Sequence, residues 1–106
     1  MKIAYFDSEG MFGYTQKTTF FQDFSIAENF GISAVKDTYR RAFRAWKNDY
    51  EYLTELVMVL NWKIWINYGK NDALAKVYNE LWEQADAYAV NNLKGEELKY
   101  FYRTTD

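Results

Sequence analysis

The segment from Leu56 to Leu60 most constrains how this chain can fold, because it is apolar at every position. Its apolar character continues beyond Leu60 through Trp62, Ile64, Trp65 and Ile66. On an α-helix such a segment is apolar around its whole circumference, so other elements must cover it on all sides. Any part left bare would be a binding site for a partner. The unbroken run is also much too short to cross a bilayer, so we expect a soluble cytoplasmic protein.

Polar caps and glycines predict further helices on both sides of this segment. Ser25 and Glu28 have the spacing of a capping box, and Gly31 is placed to end the short helix that they begin. Ser33 is predicted to cap a longer helix, which ends or bends near Asp49. The central helix then follows from about residue 50 to residue 68.

Two more helices are predicted in the C-terminal part of the chain. Gly69 suits the end of the central helix, and Asn71-Asp72 suits the start of the next one. That helix has apolar residues on one face as far as Tyr88 and continues to about residue 92. A last short helix is expected from Glu96 to Tyr102.

The N-terminal region has a different pattern. Lys2 to Phe6 and Met11 to Gln16 are rich in aromatic and β-favouring residues, and the turn-like sequence Asp7-Ser8-Glu9-Gly10 separates them. The sequence therefore predicts one mainly α domain over residues 1–106. It would have a small β-hairpin within residues 1–17 and four or five helices, within residues 18–106, around the fully apolar central helix.

The composition excludes much of the usual catalytic chemistry, because the chain contains neither histidine nor cysteine. These two residue types supply proton transfer near neutral pH, thiol nucleophiles and most ligands of zinc and other transition metals. A Ser-His-Asp site, a Cys-His site and a zinc finger are therefore ruled out. We expect a protein that is not an enzyme and that has no cofactor, no catalytic residues and no metal.

A cluster of cations within residues 36–47 is the first candidate binding feature. Five cations and one anion give this stretch a net charge of +4, whereas the whole chain carries −2, which leaves −6 elsewhere. We call the five cations the basic ridge: Lys36, Arg40, Arg41, Arg44 and Lys47. Such a ridge is typical either of a solvated helix face or of a site for nucleic acid or an acidic partner.

The same region also resembles a helix-turn-helix unit over residues 25–47. Ala27 and Gly31 match the small residue and the turn glycine of such a unit, and Ile26, Phe30 and Ile32 fall where it needs apolar residues. Asp37 and Arg40, however, occupy positions that should be apolar in the second helix. We therefore favour two helices that are joined by a glycine turn for packing reasons, with the helix-turn-helix as the alternative.

Aromatic residues and carboxylates supply the remaining candidates. The chain has 22 aromatic rings, counted from eight Phe, ten Tyr and four Trp, and a small domain cannot easily bury all of them. Trp62, Trp65 and Trp82 are therefore predicted as interface anchors for a protein partner or a homodimer. The carboxylates that share helix faces occupy positions expected to face solvent: Glu51 with Glu55, and Glu80 with Glu83 and Asp86. They would support only an unlikely carboxylate-based hydrolase.

Three segments carry a resemblance to a known group of proteins: FSIAENFGISAVKDTYRRAF, YLTELVMVLNWKIW and GEELKYFYRTTD. They resemble an uncharacterised family of small proteins from prophages and conjugative elements of Gram-positive gut bacteria. The resemblance implies an accessory protein of a mobile element, and such proteins often bind host or defence proteins or assist DNA handling.

The first functional prediction is therefore a non-catalytic protein-interaction module, for example an inhibitor of a host factor or a defence protein. DNA binding through residues 25–47 is the alternative.

Overall fold

The computed structural model describes residues 18–105, which form five α-helices. They are α1 (Phe20–Glu28), α2 (Ile32–Trp46), α3 (Tyr50–Asn67), α4 (Asp72–Asn92) and α5 (Glu96–Thr105). The prediction of a mainly helical fold is confirmed for this part of the chain. The predicted β-hairpin falls within residues 1–17 and lies outside the described residues. No helix of the described part is long and apolar enough to cross a membrane.

Helix α3 is the centre of the fold. Every residue from Leu53 to Leu60 is buried, as are Trp62 and Lys63. Helix α4 packs along α3, and α1, α2 and α5 cover its other sides. The prediction of a central helix enclosed on all sides is therefore confirmed for this stretch.

The ends of α3 and α4 follow the capping signals of the sequence. The Asp49 carboxylate caps α3 by accepting hydrogen bonds from the amides of Glu51 and Tyr52. The Asn71 side chain caps α4 in the same way by accepting from the amide of Leu74. Between the two helices Gly69 has a φ of 80°, a left-handed conformation that favours glycine.

The beginning of the helical region differs from the sequence prediction. Phe20, Phe24 and Ala27 are buried on one face of a single helix, so α1 begins five residues before Ser25. Ser25 is not a cap, because its hydroxyl lies inside the helix and donates to the carbonyl of Phe21. Ser33 is not a cap either, since Gly31 is the N-cap of α2 with a φ of 110°.

Candidate partner-binding surface

The basic ridge lies on α2, whose buried residues are Val35 and Tyr39. Its members are exposed, except for Lys47, which is half-buried. They do not all share one side of the helix. Arg40, Arg44 and Lys47 line a groove between α2 and α4, whereas Arg41 lines a different groove towards α1. Only part of the predicted cluster therefore lies on one surface.

The charge pairing on α2 divides the ridge differently, because Arg40 as well as Arg41 lies near Asp37. Asp37 accepts from Arg41 at 2.8 Å and lies 3.8 Å from Arg40. Among residues 18–105, no carboxylate lies within 4 Å of Lys36, Arg44 or Lys47. These three cations are therefore not neutralised within the described part of the protein.

The α2–α4 groove combines cations with aromatic rings. It has a volume of about 400 Å³, and its lining consists of Tyr39, Arg40, Phe43, Arg44, Lys47, Gln84 and Tyr88. The Phe43 ring stacks on Tyr39 with centroids 5.6 Å apart, and it meets Tyr88 edge to face at 4.9 Å. The ammonium of Lys47 lies 6.0 Å from the Phe43 centroid. The groove therefore has an apolar wall and a positively charged rim.

A second groove, of about 840 Å³, lies on the other side of α2, between α2, α1 and the start of α3. Its lining includes Ile26, Phe30 and Trp46, and Phe30 is 76% exposed. Trp46 contacts the Tyr52 ring at 4.2 Å. The charged residues of its lining are Asp23, Asp37 and Arg41. The rest of its lining is mainly apolar. Since Arg41 is paired with Asp37, the groove has no excess of positive charge.

The exposure of this apolar cluster corrects the helix-turn-helix interpretation. Ile26, Phe30 and Ile32 were expected to pack inside such a unit, but all three are exposed. The buried contact between α1 and α2 uses other residues, including Phe24, Ala27 and Val35. This exposure disfavours a helix-turn-helix and agrees with the interpretation of two helices joined by a glycine turn for packing reasons.

The three tryptophans predicted as interface anchors lie in different environments. Trp62 is only 1% exposed because it lies on the enclosed part of α3, so its prediction as a surface anchor is wrong. Trp65 follows it on the last turns of α3 and is 56% exposed, with its ring 5.8 Å from that of Tyr68. Trp82 is half-buried and packs against the core. Of the three, only Trp65 presents most of its surface to a partner.

The carboxylate pair Glu51 and Glu55 also differs from the prediction. Glu51 is half-buried, but Glu55 is completely buried and does not face solvent. The Glu55 carboxylate accepts a hydrogen bond of 2.9 Å from the amide of Thr18 and another from the Thr18 hydroxyl. It therefore ties the residues that precede α1 to the central helix.

The carboxylates of α4 are nearer to their predicted surface positions. Glu80 and Glu83 are exposed. Asp86 is half-buried, and burial raises the pKa of its carboxyl. Within residues 18–105, no group of three or more acidic residues is arranged to hold a metal ion.

A buried polar network joins α1, α3 and α4, and the sequence interpretation missed it. Lys63 is 3% exposed, and its ammonium lies 2.9 Å from a carboxylate oxygen of Glu28. It also donates to the Ser25 hydroxyl at 2.6 Å and lies 4.1 Å from the Phe21 centroid. The Tyr78 hydroxyl donates to the same Glu28 oxygen at 2.6 Å. The available signal was that Lys63, the one cation of α3, lies between Trp62 and Ile64 in the apolar part of the helix.

This network is structural in character. Burial is the main cause that raises the pKa of Tyr78, and its hydrogen bond to Glu28 and the charge of Glu28 raise it further. The Ser25 hydroxyl accepts from Lys63 and donates to the Phe21 carbonyl, so its hydrogen bonds are internal. Together with the contact between Thr18 and Glu55, the network fixes both ends of α1 against the core.

Comparison of the chain with protein-family models, with curated proteins and with solved structures finds no match.

Proposed function

We propose that this protein is a non-catalytic protein-interaction module that binds an acidic partner protein through the α2–α4 groove. The observation that carries the proposal is the geometry of Arg44 and Lys47. Both line a groove with aromatic walls, and neither has a carboxylate partner among the described residues. Arginine beside aromatic rings is a common composition of protein interfaces.

The surroundings of the groove favour a protein over a long nucleic acid. Outside residues 36–47 the chain carries a net charge of −6. Glu80 is exposed one helical turn before Gln84, a residue that lines the groove. A duplex extends well beyond a few cations and would meet this negative surface, whereas a partner protein can place its acidic residues on the groove alone.

The proposed setting is the cytoplasm of a cell that carries a mobile genetic element, and the proposed partner is a host or defence protein. This part of the proposal is supported only by the resemblance of the three sequence segments.

The test is capture of partners from a lysate of a Gram-positive gut bacterium, with identification by mass spectrometry. The ridge variant Arg40→Gln/Arg44→Gln removes two positive charges from the groove. The matched control, Lys70→Gln/Lys76→Gln, removes the same charge from exposed positions at the α3–α4 turn and the start of α4. We expect a nuclease-resistant partner that the native protein and the control retain and that the ridge variant loses.

Two results would contradict the proposal. If the ridge variant captures the same proteins in the same amounts as the native chain, the groove is not the binding surface. If nuclease removes all the material that the native protein captures, and the protein shifts a DNA duplex in a gel at low salt, the DNA-binding alternative replaces this proposal.

A further inference from the structure

The cations of the α2–α4 groove follow one another at the spacing of helical turns. Arg44 is four residues after Arg40, and Lys47 is three residues after Arg44. These steps are rises of roughly 6 Å and 4.5 Å along the helix axis. On the other wall Gln84 and Tyr88 are also four residues apart. The groove therefore presents charge at an interval that a second helix can match.

The aromatic wall favours an aliphatic side chain over a flat nucleobase. Tyr39 already stacks on the Phe43 ring at an interplanar angle of 23°. Lys47 and Tyr88 occupy further positions around the same ring. In proteins that bind single strands, each base stacks on a free aromatic face, and Phe43 is poorly placed to provide such a face. An aliphatic group needs only the exposed edges of the rings.

The volume of the groove limits what can enter it. The groove is open to solvent and its volume is about 400 Å³, whereas small-ligand sites are clefts that bury most of the ligand. Inserted side chains fit this space better than a whole helix, whose backbone would lie across the mouth of the groove. Helices commonly bind to grooves in this way, through residues three and four positions apart.

We infer that the α2–α4 groove binds an acidic amphipathic helix of the partner protein. Two carboxylates four residues apart pair with Arg40 and Arg44, and an aliphatic side chain between them packs on Phe43 and Tyr88. This inference rests on the proposed function and specifies the partner that the groove recognises.

The test uses two synthetic helical peptides of identical composition, based on alanine and glutamine. The matched peptide has glutamates at positions i and i+4 and a leucine at i+3. In the mismatched peptide the second glutamate is moved to i+2, on the opposite face of the helix. Binding to the full-length protein is measured by fluorescence anisotropy at low salt.

We expect the matched peptide to bind about fivefold more tightly, as the loss of one exposed ion pair of up to about 1 kcal/mol implies. Arg40→Gln/Arg44→Gln should abolish this preference, and Lys70→Gln/Lys76→Gln should retain it. Replacing the leucine of the matched peptide by alanine should lower its affinity for every protein variant that still binds it.

Two outcomes would overturn the inference while leaving the proposed function in place. Equal binding of both peptides would show that the ridge recognises charge without helical spacing. Failure of both peptides to bind, while the ridge variant still loses its captured partner, would show that the partner presents another structure. Tighter binding of a single-stranded DNA oligomer than of either peptide would contradict the proposed function as well, because it would assign the groove to nucleic acid. Failure of the proposed function itself appears separately, as unchanged capture by the ridge variant.

Discussion

Removing the charge of Glu28 should destabilise the protein strongly, because it leaves a lysine buried without its carboxylate. Lys63 is 3% exposed, and in Glu28→Gln its ammonium keeps the Ser25 hydroxyl and the Phe21 ring but has a neutral amide in place of the carboxylate. Removing one partner of a buried ion pair typically costs about 3–5 kcal/mol of stability. We expect a loss in that range in the free energy of unfolding at neutral pH.

The opposite substitution should cost less, because the two partners differ in exposure. The Glu28 side chain is 23% exposed, against 4% for the side chain of Lys63. In Lys63→Met the carboxylate can therefore be hydrated, and it still accepts from Tyr78. The expected loss is about 1–2 kcal/mol. The double variant Glu28→Gln/Lys63→Met should be more stable than Glu28→Gln alone, since it contains no unpaired buried charge.

Urea unfolding followed by circular dichroism measures all three variants. Glu97→Gln, at an exposed position of α5, is the control and should change the stability by no more than about 0.5 kcal/mol. A loss under about 1 kcal/mol for Glu28→Gln would refute this account of the network. So would a larger loss for Lys63→Met than for Glu28→Gln.

Three further predictions concern the core, a helix cap and the response to alkaline pH. Leu56→Ala should cost about 2–5 kcal/mol in urea unfolding, because Leu56 is completely buried; a loss under about 1 kcal/mol would mean that α3 is not central. Asp49→Ala removes the cap of α3 and should lower the free energy of unfolding by about 0.5–2 kcal/mol. Asp49→Asn should keep most of this stability, because asparagine can also cap a helix. Burial raises the pKa of Tyr39 to about 12. Between pH 10 and 12 the unfolded chain therefore releases this proton while the folded chain keeps it, and the free energy of unfolding falls as pH rises, by up to about 3 kcal/mol. Tyr39→Phe should show a smaller fall than the native chain, and equal falls would contradict the assignment.

The sequence predicts the helical framework well where local signals decide the structure. The apolar run at the centre of α3 needs cover on every side, and the Asp49 and Asn71 caps depend on amides two or three residues away. Residues close in sequence supply all the information for these features. The spacing of Arg40, Arg44 and Lys47 on one side of α2 is readable for the same reason.

The buried polar contacts could not be predicted in this way, because their partners are distant in sequence. Glu55 meets Thr18 across 37 residues, and Tyr78 meets Glu28 across 50 residues. Nothing local separates Glu55 from a solvent-facing glutamate. Similarly, a serine with a glutamate three residues later has the pattern of a capping box, but the burial of Phe20 and Phe24 extends α1 past Ser25.

The candidate site was predicted only in part, for a related reason. One wall of the groove lies on α2 and follows from helical periodicity. The other wall, with Gln84 and Tyr88, depends on how α4 packs beside α2. That packing also places Arg41 on the far side of α2, in contact with Asp37. Which cations act together is therefore decided by tertiary structure.

A charge exchange between the protein and the peptide shows whether the groove recognises a partner of opposite charge. Arg44→Glu and the native protein are each titrated with the matched peptide and with a version whose second glutamate is lysine. We expect each single exchange to weaken binding, and the double exchange to restore the affinity to within about threefold of the native pair. If the losses simply add, so that the doubly exchanged pair binds most weakly of all, Arg44 does not pair with the partner's carboxylate and the claim is contradicted.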